Sequence, residues 1–420
     1  MKSTQLWIRL YIMKRTYQTR INLANDQADL LVRFAELSGK VERTLYAETI
    51  AQGKLPESVK NAYLKRFNMT SRQFNAVCRP LKGKVKSITE LRKNQIDELK
   101  QKIKKAESVI KKLSSKRHFT YRKSTKASEP KLNFKLHQKK RRLTFLNHKL
   151  ERVQAKHKAG KVSLCFGSKK LFNAQHHLEA NGYPSHSEWL AQWQSDRNND
   201  FYVLGSKDES AGCQGCVLTL DAHEQASLRL RLPNTLATGK DKYINIPIDL
   251  NYGKAAILHA LANSTAISYR FKRDKKGWRV FLTTDAPLVT LVTNQCLGSI
   301  GVDINVAHLA VAEIDHFGNY LDAISIPLNT YGKSTQQAKA VIGDAVKQLM
   351  DFAEYKQKPI VIEKLAFSKK KAELETTCKN KYQKRYARML SSLAYNQIKE
   401  VIKSRGFDNG IEVLEVNPAY

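Results

Sequence analysis

The chain has 420 residues, more than one hydrophobic core ordinarily organises, so two or three compact units are expected. Its 73 Lys and Arg outnumber 38 Asp and Glu, a formal net charge of +35 at pH 7, and a compact body so charged repels itself unless a polyanion covers it, which points to nucleic acid. No uninterrupted apolar run approaches the roughly 18 residues of a spanning helix, so no membrane partner is expected, and six scattered cysteines suit reduced thiols better than a disulfide framework.

From the N-terminus, Leu6 to Met13 is apolar but broken by Arg9 and followed by no small-residue cleavage site, so a cytoplasmic location is expected. Thr16 to Leu23 alternates as a strand does. Residues 26 to 80 read as helical, with Leu30, Leu31, Phe34 and Leu37 on one face. Between Lys82 and Lys161 the chain holds 27 Lys or Arg and 6 Asp or Glu, an excess of 21 that makes this stretch the electrostatic centre of the molecule. Within it Ile96, Leu99, Ile103, Ala106, Ile110 and Leu113 recur at steps of three and four, as do Leu143, Leu146, Leu150 and Val153. These spacings predict a helical hairpin near residues 87–155, with a loose basic tip from Ser114 to Pro130. Lysines that only kept such a hairpin hydrated would alternate with Glu. Here they dominate, which makes Lys84, Lys86, Lys104, Lys105, Lys139, Lys140, Arg141 and Arg142 candidate phosphate contacts.

From Phe201 to Thr284 the period changes to two. Val217 to Leu220, Ser227 to Leu232 and Tyr243 to Ile248 read as strands, and Ile267 to Leu282 as a hairpin turning at Arg273 to Gly277. Residues 1–25 with 200–290 are therefore expected to form an antiparallel β-barrel, with the basic helical region 26–199 inserted in it. Cys213-Gln-Gly-Cys216 is the sole CxxC; with no second pair or nearby His at ligand spacing, no zinc is expected there.

Residues 298–420 give short strands at Ser299 to Asn305, His308 to Asp315 and Tyr320 to Ile326, with a turn at Phe317-Gly318-Asn319. A helix follows from about Ser334, with Ala338, Ile342, Ala345, Leu349 and Phe352 on one face. Next come a strand at Pro359 to Leu365, a helix through Leu390, Ala394, Ile398 and Val401 ending near Gly406, and a strand at Ile411 to Val416. This order matches an RNase H-like α/β domain, so the whole chain is expected to be an α+β multidomain protein. Asp303 in the first of these strands and Glu363 in the fourth interrupt β-branched runs, where an acid is costly to bury unless it meets a metal or a base. Two such acids on neighbouring strands suit a pair of Mg²⁺ or Mn²⁺ ions about 3.5 to 4 Å apart, the arrangement that hydrolyses phosphodiesters. Glu415 on the last strand is a further acid whose facing the alternation leaves open.

The string Gly301-Val-Asp-Ile-Asn-Val-Ala-His-Leu-Ala-Val-Ala-Glu-Ile-Asp315 with Gly318-Asn319 resembles the first RuvC motif of the TnpB (OrfB) proteins of bacterial insertion sequences. Val361-Ile-Glu363-Lys-Leu365 resembles the second. Tyr386-Ala-Arg-Met-Leu390, Leu393-Ala-Tyr395 and Val416-Asn-Pro-Ala-Tyr420 resemble the segment leading to the third. Cys165-Phe-Gly-Ser-Lys-Lys170 and Gly205-Ser-Lys-Asp-Glu209 resemble a subgroup of these proteins. The resemblance implies a transposon-associated, RNA-guided DNA endonuclease related to type V CRISPR effectors. Asp303 and Glu363 would be its catalytic metal ligands, a guide RNA and double-stranded DNA its partners, and the barrel and helices its grip on RNA. The lysine-rich stretch after Glu363, with Lys369, Lys370 and Lys371, adds candidate nucleic-acid contacts. The family continues into a zinc ribbon and a helix bearing a third Asp, which this sequence does not include, so weak or absent cleavage is expected. A DNA-binding recombination factor acting without RNA is the alternative.

Overall fold

The computed structural model describes residues 13–122, 129–221, 223, 225–237, 242–287, 289–364 and 394–417. They form a mixed α+β structure in two compact units, one of Met1–Ile96 with Lys149–Pro287, the other of Asp97–His148 with Leu288–Tyr420. Among the described residues no helix is long and apolar enough to cross a membrane.

In the first unit, β1 (Lys14–Arg20) pairs antiparallel with β7 (Gly277–Asp285), so that Lys14 faces Asp285 from the far end of the sequence. β6 (Ser268–Asp274) and β2 (Asp200–Val203) complete the order β1-β7-β6-β2. β3 (Cys216–Leu220), β4 (Ala226–Arg231) and β5 (Tyr243–Ile248) form a separate antiparallel sheet. The expected barrel is thus corrected: among the described residues the strands make two sheets and no closed barrel. The chain leaves β2 through a crowded turn in which Ala211 and Gly212 take φ of 51° and 69°. A Cβ on Gly205 there would lie 2.1 Å from the Ile267 carbonyl oxygen, so backbone packs on backbone where a strand would need a ladder. A helix that the period of two concealed, α7 (Lys254–Ala262), sends Ile257 and Ala260 into the core that both sheets share.

α1 (Asn25–Glu48) lays Phe34 on Phe201 with ring centroids 4.1 Å apart, and Phe201 stacks in turn on Phe271 at 4.8 Å. Each fully buried aromatic of this kind contributes roughly 1.5–3 kcal/mol. α1 also joins α2 (Lys60–Arg66) and the start of α3 (Ser71–Arg122) in a second core of Val41, Leu45, Tyr63, Phe74 and Leu81. Of the loose tip expected from Ser114 to Pro130, residues 114–122 and 129–130 are helix, and residues 123–128 lie outside the described residues. α3 runs on to Arg122 because Ser, Lys and Arg tolerate a helix and no Gly or Pro interrupts them. α4 (Glu129–Lys158) then starts with Pro130 in its first turn, where the missing N–H costs nothing, and the short helices α5 (Lys169–Ala174) and α6 (His186–Asp196) follow it.

The second unit holds a five-stranded sheet of β8 (Ser299–Ile304), β9 (His308–Ile314), β10 (Tyr320–Pro327), β11 (Ile360–Glu363) and β12 (Val413–Val416). Its spatial order is β10-β9-β8-β11-β12, antiparallel from β10 to β8 and parallel from β8 to β12. The β9–β10 turn is the expected one: Asp315 accepts bonds from the Phe317 and Asn319 amides at 2.9 and 2.8 Å, and Gly318 takes φ 88°. α8 (Thr335–Lys356) starts in a capping box between Ser334 and Gln337. It and α9 (Tyr395–Asp408) bury Ile342, Val346, Leu349, Ile398 and Ile402 against Ile300, Val302, Val311, Ile360 and Ile362 of the sheet. α9 passes through Gly406 instead of stopping there. A Cβ at that position would come 2.6 Å from Val413 Cγ2, so glycine lets the helix lie against β12.

Candidate functional site

Strand alternation sorts the acids of the five-stranded sheet. Ile300, Val302 and Ile304 of β8 are buried towards the helices, and Asp303 between them is exposed on the opposite face. On β11, Ile360 and Ile362 are buried and Glu363 is half-buried on the same face as Asp303. The parallel register pairs Ile360 with Ile300 and ends at Ile362 with Val302, so Glu363 and Asp303 each come one residue past the last position at which these two strands pair. Strands so paired lie about 4.8 Å apart, so the two acids stand at neighbouring ends of adjacent strands. Asn305, a residue that sequence reasoning did not single out, donates from Nδ2 to Asp303 Oδ2 at 3.0 Å and orients that carboxylate. The Tyr395 hydroxyl donates to the Glu363 carbonyl oxygen, tying the start of α9 to the end of β11.

Glu415 is placed differently. It pairs in register with Ile362, on the helix face, and its Oε1 receives Lys399 Nζ at 2.8 Å and Lys403 Nζ at 2.5 Å. Those two ammonium groups hold its carboxyl below the usual range, with burial opposing them. It does not join Asp303 and Glu363. Val416, its neighbour, is the residue aligned with Glu363.

Glu313 on β9 is also on the helix face and buried, facing Ile300. Lys358 Nζ reaches its Oε1 at 2.6 Å and Lys356 Nζ its Oε2 at 2.7 Å. Burial pushes its carboxyl up, but the two lysines outweigh that and hold it low. By contrast neither Asp303 nor Glu363 is paired with a Lys or Arg among the described residues. Divalent hard cations require anionic oxygen donors that are not already neutralised, and this pair fits that requirement where Glu313 and Glu415 do not. Among the described residues no group of three or more His, Cys, Asp or Glu gathers as a metal site.

Of the basic candidates, Lys84 holds Glu42 at 2.6 Å with its ammonium 5.8 Å from the centre of the Phe166 ring. A surface pair of that kind is worth about 0–1 kcal/mol and yields readily to phosphate. Lys86, Lys104, Lys140, Arg141 and Arg142 are exposed, while Lys105 and Lys139 are half-buried. Lys369, Lys370 and Lys371 lie outside the described residues. Cys213 and Cys216 are buried free thiols of the first unit's core, and desolvation pushes the Cys213 thiol up to about 11. No family model matches the chain, and no curated protein matches it.

Proposed function

We propose that the chain is an RNA-guided DNA-binding protein of the TnpB type, whose five-stranded sheet belongs to a RuvC-like, divalent-cation-dependent DNA endonuclease domain. The observation that carries the reading is that Asp303 and Glu363, each one residue past the last position at which the adjacent strands β8 and β11 pair, have no cationic partner among the described residues of a chain whose formal charge is +35. The order β10-β9-β8-β11-β12, with its change from antiparallel to parallel at β8, supports an RNase H-like arrangement.

In this reading Asp303 and Glu363 hold Mg²⁺ or Mn²⁺, and Asn305 fixes the Asp303 carboxylate by its hydrogen bond. A bound ion of this type polarises a phosphoryl oxygen and makes a water more acidic. The exposed lysines and arginines of α3 and α4 bind phosphates by releasing condensed counterions, while base pairing with a guide supplies sequence selection.

The test is purification of the full chain from cells that express it, followed by sequencing of retained RNA and measurement of binding to DNA matched or unmatched to that RNA. The expected result is retained RNA and a preference for matched DNA that RNase removes. Protein free of RNA that binds DNA identically with and without RNase treatment would overturn the RNA-guided reading.

A further inference from the structure

We propose that the outward face of α4 between Lys131 and Phe145 binds unpaired nucleic acid, with Phe134 and Phe145 stacking on bases and Arg141 engaging a phosphate between them. This rests on the nucleic-acid reading above and specifies the form of polymer that the helix takes.

The helix buries Leu136 and Leu146, with Leu132 and Leu143 half-buried on the same side. Phe134 and Phe145 lie on the other side, three turns apart, and are 65% and 61% exposed. Phenylalanine is not a favoured residue for a solvated helix position, and most of each ring is open to solvent there. Arg141 falls on the same stripe, seven residues after Phe134 and four before Phe145, and Lys131, Lys135, Lys140 and Arg142 are exposed around it. From Lys131 to Lys149 the sequence contains no Asp or Glu. The face is therefore cationic with two bare aromatic rings, and its occupant has to offer both negative charge and flat apolar surface.

Duplexes meet the first requirement only, since their bases are stacked on one another inside and a ring on a helix surface would meet sugar and phosphate. A single strand meets both, because every base has a free face on which an aromatic side chain can stack. At 1.5 Å per residue the rings are about 16 Å apart along the axis, or about five steps of a 3.4 Å base stack. One ring therefore cannot serve adjacent bases with the other. A strand of about six nucleotides is the shortest that reaches both at that spacing, with Arg141 opposite its middle.

The experiment uses the full chain, stripped of nucleic acid in high salt, and fluorescein-labelled oligouridylates of four, eight and twelve nucleotides with a twelve-base-pair RNA duplex, read by anisotropy. Phe134→Ala, Phe145→Ala and Arg141→Ala are compared with the wild type, circular dichroism confirming that helix content is unchanged. The expected result is a sharp gain in affinity from four to eight nucleotides. Each Phe→Ala should weaken eight-nucleotide binding about tenfold without altering the salt dependence. Arg141→Ala should reduce the slope of log affinity against log salt by about 0.7. Duplex affinity should not respond to the loss of either ring. Equal effects on single strand and duplex, or none on either, would overturn the inference and leave the wider nucleic-acid reading standing. Sedimentation showing that both Phe→Ala variants change only self-association would overturn it in favour of an interface between copies, and failure of the wild type to bind any of these polymers would overturn both readings.

Discussion

On the helix face of the five-stranded sheet Glu313 and Glu415 each meet two lysines, whereas on the opposite face Asp303 and Glu363 meet none among the described residues. All four acids interrupt apolar strands, and at the level of local sequence they look alike. Their surroundings differ because a carboxylate enclosed by α8 or α9 loses water and survives as an anion only with ammonium groups in direct contact. An acid on the other face keeps some solvent and can remain unpaired until a ligand arrives. The comparison therefore separates acids that hold the fold together from acids available to a cation.

The largest effect in breaking this comparison is expected from Glu313→Gln. It strands Lys358, whose side chain is only 8% exposed, without a counter-charge, and removing one partner of a buried ion pair costs about 3–5 kcal/mol. Hydrogen exchange of the β8 and β9 amides should accelerate accordingly, while the sheets of the first unit stay protected. Replacing Glu313, Lys356 and Lys358 together with apolar residues should recover most of that loss, since the cost lies in the orphaned charge.

A smaller effect, about 1–3 kcal/mol, is expected from Gly406→Ala, whose added carbon meets Val413 2.6 Å away and lifts α9 from β12. Urea denaturation followed by exchange of the β12 amides would detect it. Smaller again, about 1 kcal/mol, is the contribution of Glu415 with its partly exposed lysines. Its carboxyl and that of Glu313 are held below the ordinary value in the folded state. The stability they confer is therefore complete above the ordinary carboxylate pKa and is lost as pH falls through the lower folded values. The second unit should weaken on acidification below about pH 4.5, and Glu415→Gln should make that decline shallower. Unchanged acid sensitivity in both Glu313→Gln and Glu415→Gln would contradict the assignment of these lysine clamps.

Much of the second unit was legible because its strands are short apolar runs bounded by polar turns and its first helix carries a Ser334–Gln337 cap. The positions of Asp303 and Glu363 followed from those runs. The facing of Glu415 did not, since Val413 and Leu414 before it are both half-buried in an edge strand and give no clean alternation. The deciding signal sits on α9, where Lys399 and Lys403 at a spacing of four flank the buried Ile398 and Ile402. In the first unit the period of two located β3 to β7 but said nothing of closure, which depends on how the Gly205–Gly215 turn and α7 pack. α7 was missed because Ala255-Ala-Ile-Leu258 and its neighbours are apolar on nearly every side and show no helical stripe. The clamp on Glu313 joins residues from β9 to the end of α8 and the turn after it, a long-range pairing that no local pattern announces.

The central claim, that Asp303 and Glu363 share a cation, is tested most directly by titrating Mn²⁺ into the nucleic-acid-free full chain and reading the free ion by electron paramagnetic resonance. A bound fraction is expected in the wild type that falls in both Asp303→Asn and Glu363→Gln and is unchanged in Glu415→Gln. Equal Mn²⁺ binding in all four proteins, or loss in Glu415→Gln to the same extent as in the other two variants, would contradict it.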